Sequence, residues 1–422
     1  MLDKNGTRQL AYVVVVDAIE PIPGSDNCEC AIVGGWHVMV RKNEFKAGDP
    51  AIYFEIDSYL DPSNSAFSFM EKKKYKVKTQ RYTFGGKGNF ISQGLLMSAV
   101  NFGWKAHRNA AVFRDEEYLG DIKEIPGMTD TNGIVHYVDD ESRFLTKQLN
   151  ITYAVPEDNT RKANSVDKYE KMISRHKKLF SHQPFCFLIK HKIGRKFLFV
   201  FFGKKKDKKS QWPVHICAKT DVERIQNMMW VLEDKHPYVA TEKVDGSSFT
   251  IAAERTEFGK IKYYVCSRNV VFENENQKCF YDSNIYFEMF VKYNLKEKIT
   301  RILNDLNLDN VAIQAEVYGT NVQKRDYSIK ERRIAVFHIV SNGQKFPMDQ
   351  VVNICDHYEL PHVPIVSYNY ILPDTIEELQ KFVESAPSAL DGKEKEGIVF
   401  YDKETGQRYF KFVSPEFLMK YH

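Results

Sequence analysis

No stretch of this sequence has an apolar run long enough to cross a bilayer, and Met1-Leu2-Asp3-Lys4 opens no signal peptide. A cytoplasmic protein with no membrane attachment is the expectation. The glycine loops that cradle phosphates are missing as well. Neither Gly-x-x-x-x-Gly-Lys-Ser/Thr nor Gly-x-Gly-x-x-Gly occurs, so any nucleotide is held in another way. Cysteine is sparse: seven residues, an odd number, are scattered from Cys28 to Cys355, which excludes a disulfide framework and points to reduced thiols. Cys28-x-Cys30 lacks the spacing of a zinc knuckle, and the twelve histidines form no metal-ligand pattern. A dominant charge of one sign is absent too, since the formal net charge is only +4, so local clusters must carry any electrostatic argument. What remains is an ordinary globular composition with a high aromatic share of 13%, and 422 residues leave room for two or three cores.

Residues 10 to 60 alternate like a small β-barrel. Leu10 to Ile19, Glu29 to Val33, Trp36 to Val40 and Pro50 to Ile56 read as strands, with turns at Pro23-Gly24, Gly34-Gly35 and Ala47-Gly48-Asp49. Short strands at this spacing fit an OB-like barrel, a common platform for nucleic acid. The stretch from Lys72 to Tyr82 interleaves bases with tyrosines and predicts a strand with one positive face. Lys74, Lys76, Lys78 and Arg81 are its candidate phosphate contacts, and a solvated edge strand is the alternative. Phe90 to Leu96 returns to the barrel, and Leu145 to Val155 closes it.

Three regions follow from composition: 1–155, a charged linker with an insert at 156–212, and 213–422. Within the insert, Phe185 to Lys190 and Lys196 to Phe202 read as a strand pair. The lysine run from Lys204 to Lys209 reads as a solvated loop before a phosphate site. Thr220-Asp221-Val222-Glu223 is a capping box and predicts a helix running through Arg224 to Leu232. Ile285 to Leu306 has the spacing of a single core-facing helix.

The centre of the chain is Thr241-Glu242-Lys243-Val244-Asp245-Gly246-Ser247. Apolar strands flank an Asp-Gly-Ser turn, which puts an amine at a strand end beside a carboxylate and a glycine. That arrangement suits a nucleophile for phosphorus, though an exposed Lys-Asp turn would look the same. Further strands are expected at Lys260 to Ser267, Val311 to Tyr318, Arg333 to Val340, Gly397 to Tyr401 and Tyr409 to Val413. Glu316 and Glu396 lie within or beside such apolar strands, where an unmet carboxylate costs several kcal/mol. A structural ion pair could account for either alone; together they favour a metal or ribose site.

In order, the Lys243 motif, Ser267-Arg268-Asn269, Glu316, Phe337, Glu396-Gly397 and Lys411 closely resemble the signature of covalent nucleotidyltransferases. Thr241-Glu242-Lys243, Lys219-Thr220-Asp221-x-x-Arg224 and Phe410-Lys411-Phe412-Val413-Ser414-Pro415 are most similar to ATP-dependent RNA ligases of family five, as are Gly34-Gly35-Trp36 and Ile91-Ser92-Gln93-Gly94-Leu95. The resemblance spans nearly all of the chain outside residues 160 to 212. It implies an α+β protein: an N-terminal OB-like barrel, then an ATP-grasp-like adenylyltransferase domain of antiparallel sheets flanked by helices.

The implied chemistry is attack of Lys243 on the α-phosphorus of ATP, transfer of AMP to an RNA 5′-phosphate, and displacement by a 3′-OH. Also implied are adenine recognition by Glu242, stacking by Phe337 (core packing is the alternative), and ribose contacts from Arg268 and Glu316. Asp245, Asn269, Glu316 and Glu396 would orient hydrated Mg2+ or Mn2+. Arg224 and Lys411 would meet phosphates, Arg224 being equally explicable as a surface ion pair. A lowered lysine pKa is expected, from burial and neighbouring cations. The partner would be RNA or a nicked RNA-containing duplex, and the protein a monomer.

Two departures stand out. The last motif often has two lysines around one apolar residue, but here Tyr409 stands where the first would be, with Arg408 a possible substitute on the other strand face. The insert at 160–212 lies outside the resemblance. A DNA ligase or capping guanylyltransferase usually carries its OB domain after the catalytic domain, against the order here. A non-catalytic RNA-binding relic would be expected to have lost Lys243, Glu316, Glu396 or Lys411.

Overall fold

The computed structural model describes residues 1–153 and 211–422, apart from 4, 85–88, 103, 108–110, 115–116, 130–134, 140–142 and 220. Of residues 154–210 it describes Leu179, His182, Phe185–Leu188 and Leu198, and the side chains of 99, 103–142, 186 and 187 lie outside the description. The chain forms two compact units, Met1–Ala154 together with Trp212–His422, and Val155–Gln211. In the second, Phe185–Leu188 is a helical turn, not the expected strand; a short apolar run has no period to separate the two. The 156–160 linker, most of its expected partner strand and the 204–209 lysine run lie outside the described residues.

In the N-terminal domain, Ala11–Val15 pairs antiparallel with Pro50–Phe54, which pairs with Leu95–Met97. Ala18–Pro21, Cys28–Val33 and Trp36–Arg41 form an antiparallel meander. Both faces of the first pair are covered. Tyr12, Val14 and Tyr53 meet Trp36 in the barrel core, while Val13, Ile52 and Phe54 pack on Phe67, Met70 and Leu145. That is why Pro50–Phe54 is apolar and buried throughout.

The basic stretch is not the expected strand. Ser65–Lys73 is a 3-10 helix capped by Asn64, with Phe67 and Met70 buried at its three-residue period. Lys74 and Tyr75 then take φ of 51° and 58°, and only Gln80–Thr83 is extended. No continuous positive strand face results.

The C-terminal domain holds two sheets. One runs, in spatial order, Glu223–Arg224, Tyr409–Val413, Gly397–Asp402, Pro237–Lys243, Ile365–Ile371. The other runs Val271–Phe272, Ile261–Ser267, Ser247–Arg255, Asn310–Gly319, Arg332–Ser341, Gln344–Lys345. Pairing is antiparallel apart from Glu223–Arg224 beside Tyr409–Val413. Helices cover the outside, so the α+β class holds. Ile285–Lys292, Leu295–Asp305 and Met348–His357 close one core, and Ile376–Ser385 closes the other.

Two helix expectations are corrected. Ile285 to Leu306 is two helices, broken at Asn294, whose φ of 48° is left-handed, a conformation Asn tolerates better than most residues. Residues 224–232 are not an α-helix: they form the end of a strand and two 3-10 segments, Ile225–Asn227 and Met229–Leu232. The carboxylates of that expected first turn are engaged elsewhere. Asp221 takes Arg8 and Arg268, and Glu223 accepts from the Asn227 amide.

Candidate active site

Lys243 ends a strand of the five-stranded sheet, and Ser247 begins a strand of the six-stranded sheet. The motif is therefore not a hairpin; its turn carries the chain from one sheet to the other. Gly246 is required by contact: a Cβ there would lie 2.2 Å from the carbonyl oxygen of Val317.

At this crossing Lys243 Nζ lies 2.6 Å from Glu396 Oε2. Gly397, next to Glu396, is the register partner of Lys243. Glu316 comes from the adjoining strand of the other sheet, opposite Ser248, and Asp245 is buried. Burial, with Glu396 and Asp245 adding to it against the pull of Lys243, pushes the Glu316 carboxyl up to about 8. Asp245 is raised too, by burial and then by Glu396. Burial alone would lower the Lys243 ammonium; Glu396, Glu316 and Asp245 more than offset it and hold it above the ordinary lysine value. The protein's own groups thus raise this lysine, which leaves the expected depression to a bound divalent cation and Lys411. Three carboxylates around one amine form an oxygen-rich, over-negative pocket that fits a hard divalent cation. Among the described residues, no three His, Cys, Asp or Glu side chains form a direct metal cage.

A second cluster is positive. Lys411, two residues before Gly397's partner Val413, is strongly depressed by burial and by Arg8 and Arg224, against the pull of Asp221. Asp221 accepts from Arg8 Nη2 at 3.1 Å and Arg268 Nη2 at 3.0 Å, with Lys411 Nζ at 4.0 Å. Burial works against this carboxylate, but Arg8, Lys411 and Arg268 hold it well below the usual range. Arg224 is buried, not a surface ion pair. Its guanidinium stands 5.7 Å over the Trp36 ring, and its Nε and Nη1 have no hydrogen-bond partner among the described residues. A buried guanidinium with open donors has hydrogen-bonding capacity that an acceptor could fill.

Phe337 is half-buried beside Val244 and Tyr327. Glu242 faces away from Lys243, its oxygens taken by the Ser388 hydroxyl and, at 2.8 Å, the Ala389 amide. Asn269 is exposed and accepts from Lys219 at 3.2 Å, apart from the carboxylates. Arg408 pairs with Asp234 at 2.8 Å over Trp230 and supplies no charge at the Tyr409 position. Of the basic residues in the N-terminal domain, Lys74 is exposed and Lys76 lies 4.0 Å from Asp57. Lys78 donates to the His422 carbonyl at 2.7 Å and Arg81 pairs with Glu416, so these two bridge to the last helix, Pro415–Tyr421, and its end.

Sequence reasoning missed Arg8 and the role of Asp221. No local pattern marks Arg8; it reaches the site because Trp36 Nε1 and Tyr12 Oη both meet Asn227 Oδ1, at 2.7 and 3.2 Å, docking the barrel on the segment after Arg224.

Residues 236–421 match the family model described as RNA ligase, and residues 10–98 match a model for an OB-fold domain. The chain carries an RNA ligase domain. No curated protein sequence matches it. Among solved structures, it is similar to a Naegleria gruberi RNA ligase mutant with ATP and Mn: 22% identity, TM-score 0.66, covering 99% of this chain and 99% of that one. The same ligase with PPi, and another mutant with AMP and Mn, give 22% identity and TM-score 0.66 over 98% of this chain and 99% of theirs. The two matched regions thus share their fold with those structures.

Proposed function

We propose that this protein is an ATP-dependent RNA ligase that works through a lysyl-AMP at Lys243 and joins 3′-OH and 5′-phosphate ends, or nicks, in RNA-containing duplexes. The observation that carries this reading is the Lys243 amine, held at 2.6 Å by Glu396 at a sheet crossing within an RNA ligase domain. The lone pair of Nζ forms the bond to the α-phosphorus, and the bond to the pyrophosphate oxygen breaks. The proton leaves Nζ, with Glu396 Oε2 the nearest acceptor. An RNA 5′-phosphate oxygen then displaces Lys243 from the adenylate. Last, the 3′-OH attacks that 5′-phosphorus, AMP departs and the phosphodiester is closed.

Asp245, Glu316 and Glu396 are the residues to hold Mg2+ or Mn2+, largely through its waters. Once bound, its charge would cancel the field that keeps Lys243 protonated. Arg224, with its unpartnered donors, and Lys411 are assigned to the phosphates. Arg268 would have to give up Asp221, and Glu242 its Ser388 partner, to touch ribose or base. The Naegleria structures with ATP and Mn support this cofactor set.

The test is incubation with α-labelled ATP and Mn2+ or Mg2+, then denaturing electrophoresis, with Lys243→Ala alongside. A covalent AMP adduct on the wild type alone supports the reading, and nicked RNA and DNA duplexes then define the substrate. No adduct, from folded protein that is not already adenylated, would overturn it.

A further inference from the structure

The loop between strands Asn310–Gly319 and Arg332–Ser341 contains three side chains that the chemistry above does not use. Tyr327, 2% exposed, accepts a hydrogen bond from the Asp245 N–H at 2.8 Å. Gln323 Nε2 donates to the Gly246 carbonyl at 2.6 Å. One loop therefore holds the peptide groups on both sides of the Asp245-Gly246 step, while Val317 and Glu316 press against Gly246 from the strand.

Arg325 joins this grip to the other half of the site. It is 1% exposed, and its guanidinium stands 3.7 Å over the Tyr327 ring. It donates to the Glu394 carbonyl from Nε at 3.1 Å and Nη2 at 2.8 Å, and from Nη2 to Asp391 Oδ1 at 2.8 Å. Glu394 lies two residues before Glu396, the partner of Lys243. A fully buried ion pair is a poor source of net stability, but it fixes geometry well because its planar fork admits few alternatives. The Tyr327 ring also packs in one cluster with Val244, the residue before Asp245, and with Phe337.

We propose that Tyr327, Gln323 and Arg325 are positioning residues for lysine adenylylation, locking the Asp245 carboxylate and the Glu396 segment in register about Lys243 Nζ. This rests on the reading of Lys243 as the nucleophile. Tyr327→Phe removes one oxygen and keeps the ring; Gln323→Ala acts at an exposed position that no core depends on.

The experiment measures single-turnover adenylylation against ATP concentration, Mn2+ binding without ATP by electron paramagnetic resonance, and Tm. Each variant is expected to fall about tenfold in rate at saturating ATP, the scale of one hydrogen bond, with the half-saturating ATP concentration unchanged. Mn2+ binding weakens severalfold, and the Tm of Gln323→Ala stays at the wild-type value. The inference is overturned if the wild type forms the adduct and both variants match it within about twofold, or if rate falls only in step with Tm. A wild type that forms no adduct overturns the nucleophile reading itself, and this inference with it.

Discussion

Lys243 Nζ and Glu396 Oε2 are 2.6 Å apart although 153 residues separate them in the chain. Replacing the carboxylate by its neutral isostere, Glu396→Gln, removes the nearest proton acceptor and one charge of the cation pocket. Adenylylation should fall on the order of a hundredfold or more, read as AMP adduct per unit time, while circular dichroism stays native.

Arg8 joins the two domains by pairing with Asp221 at 3.1 Å and with buried Glu55 at 2.9 Å. Arg8→Ala strips a partner from both carboxylates and should cost about 3 kcal/mol in urea unfolding. If Arg8 were an ornamental surface charge, the cost would stay below about 1 kcal/mol.

His338 is buried in a cage of Phe337, Tyr401 and Tyr409, its Nδ1 on Gln314 at 3.1 Å and its Nε2 without a partner among the described residues. Burial, and then Lys345, push its pKa well below the ordinary value. The folded state thus keeps this imidazole neutral where the unfolded chain takes up a proton. Its contribution to stability is full above pH of about 6.5 and declines as pH falls below that, at a slope of up to about 1.4 kcal/mol per unit. Tm measured between pH 7.5 and 5.5 should fall less steeply in His338→Gln than in the wild type.

Lys74 is exposed and Lys76 faces Asp57 of its own domain, whereas Lys78 and Arg81 are tied to the end of the ligase domain. Lys74→Ala or Lys76→Ala should weaken RNA binding and reduce the slope of log affinity against log salt by about 0.7 to 0.9 for each phosphate no longer neutralised. Adenylylation should be unchanged. An equal drop in both activities would end that division of labour.

Strand positions, the barrel and the order of the nucleotidyltransferase motifs could be read from the sequence, because each rests on a local pattern. Alternating apolar residues, Asp-Gly turns, and carboxylates in otherwise apolar strands declare themselves within a few residues. Other features were decided only by tertiary structure. Asp221 looks like a first-turn residue of a capped helix until Arg8, more than two hundred residues away, takes its carboxylate. Lys72–Tyr82 alternates like a strand, yet Lys72 and Lys73 end a 3-10 helix whose Phe67 and Met70 pack into the core with Phe54 and Leu145. The Lys243 turn has the residues of a hairpin, but its two strands pair in different sheets, Pro237–Lys243 with Gly397–Asp402 and Ser247–Arg255 with Asn310–Gly319. Local sequence determines which conformations are cheap. Long-range burial and charge pairing decide which of them the chain adopts.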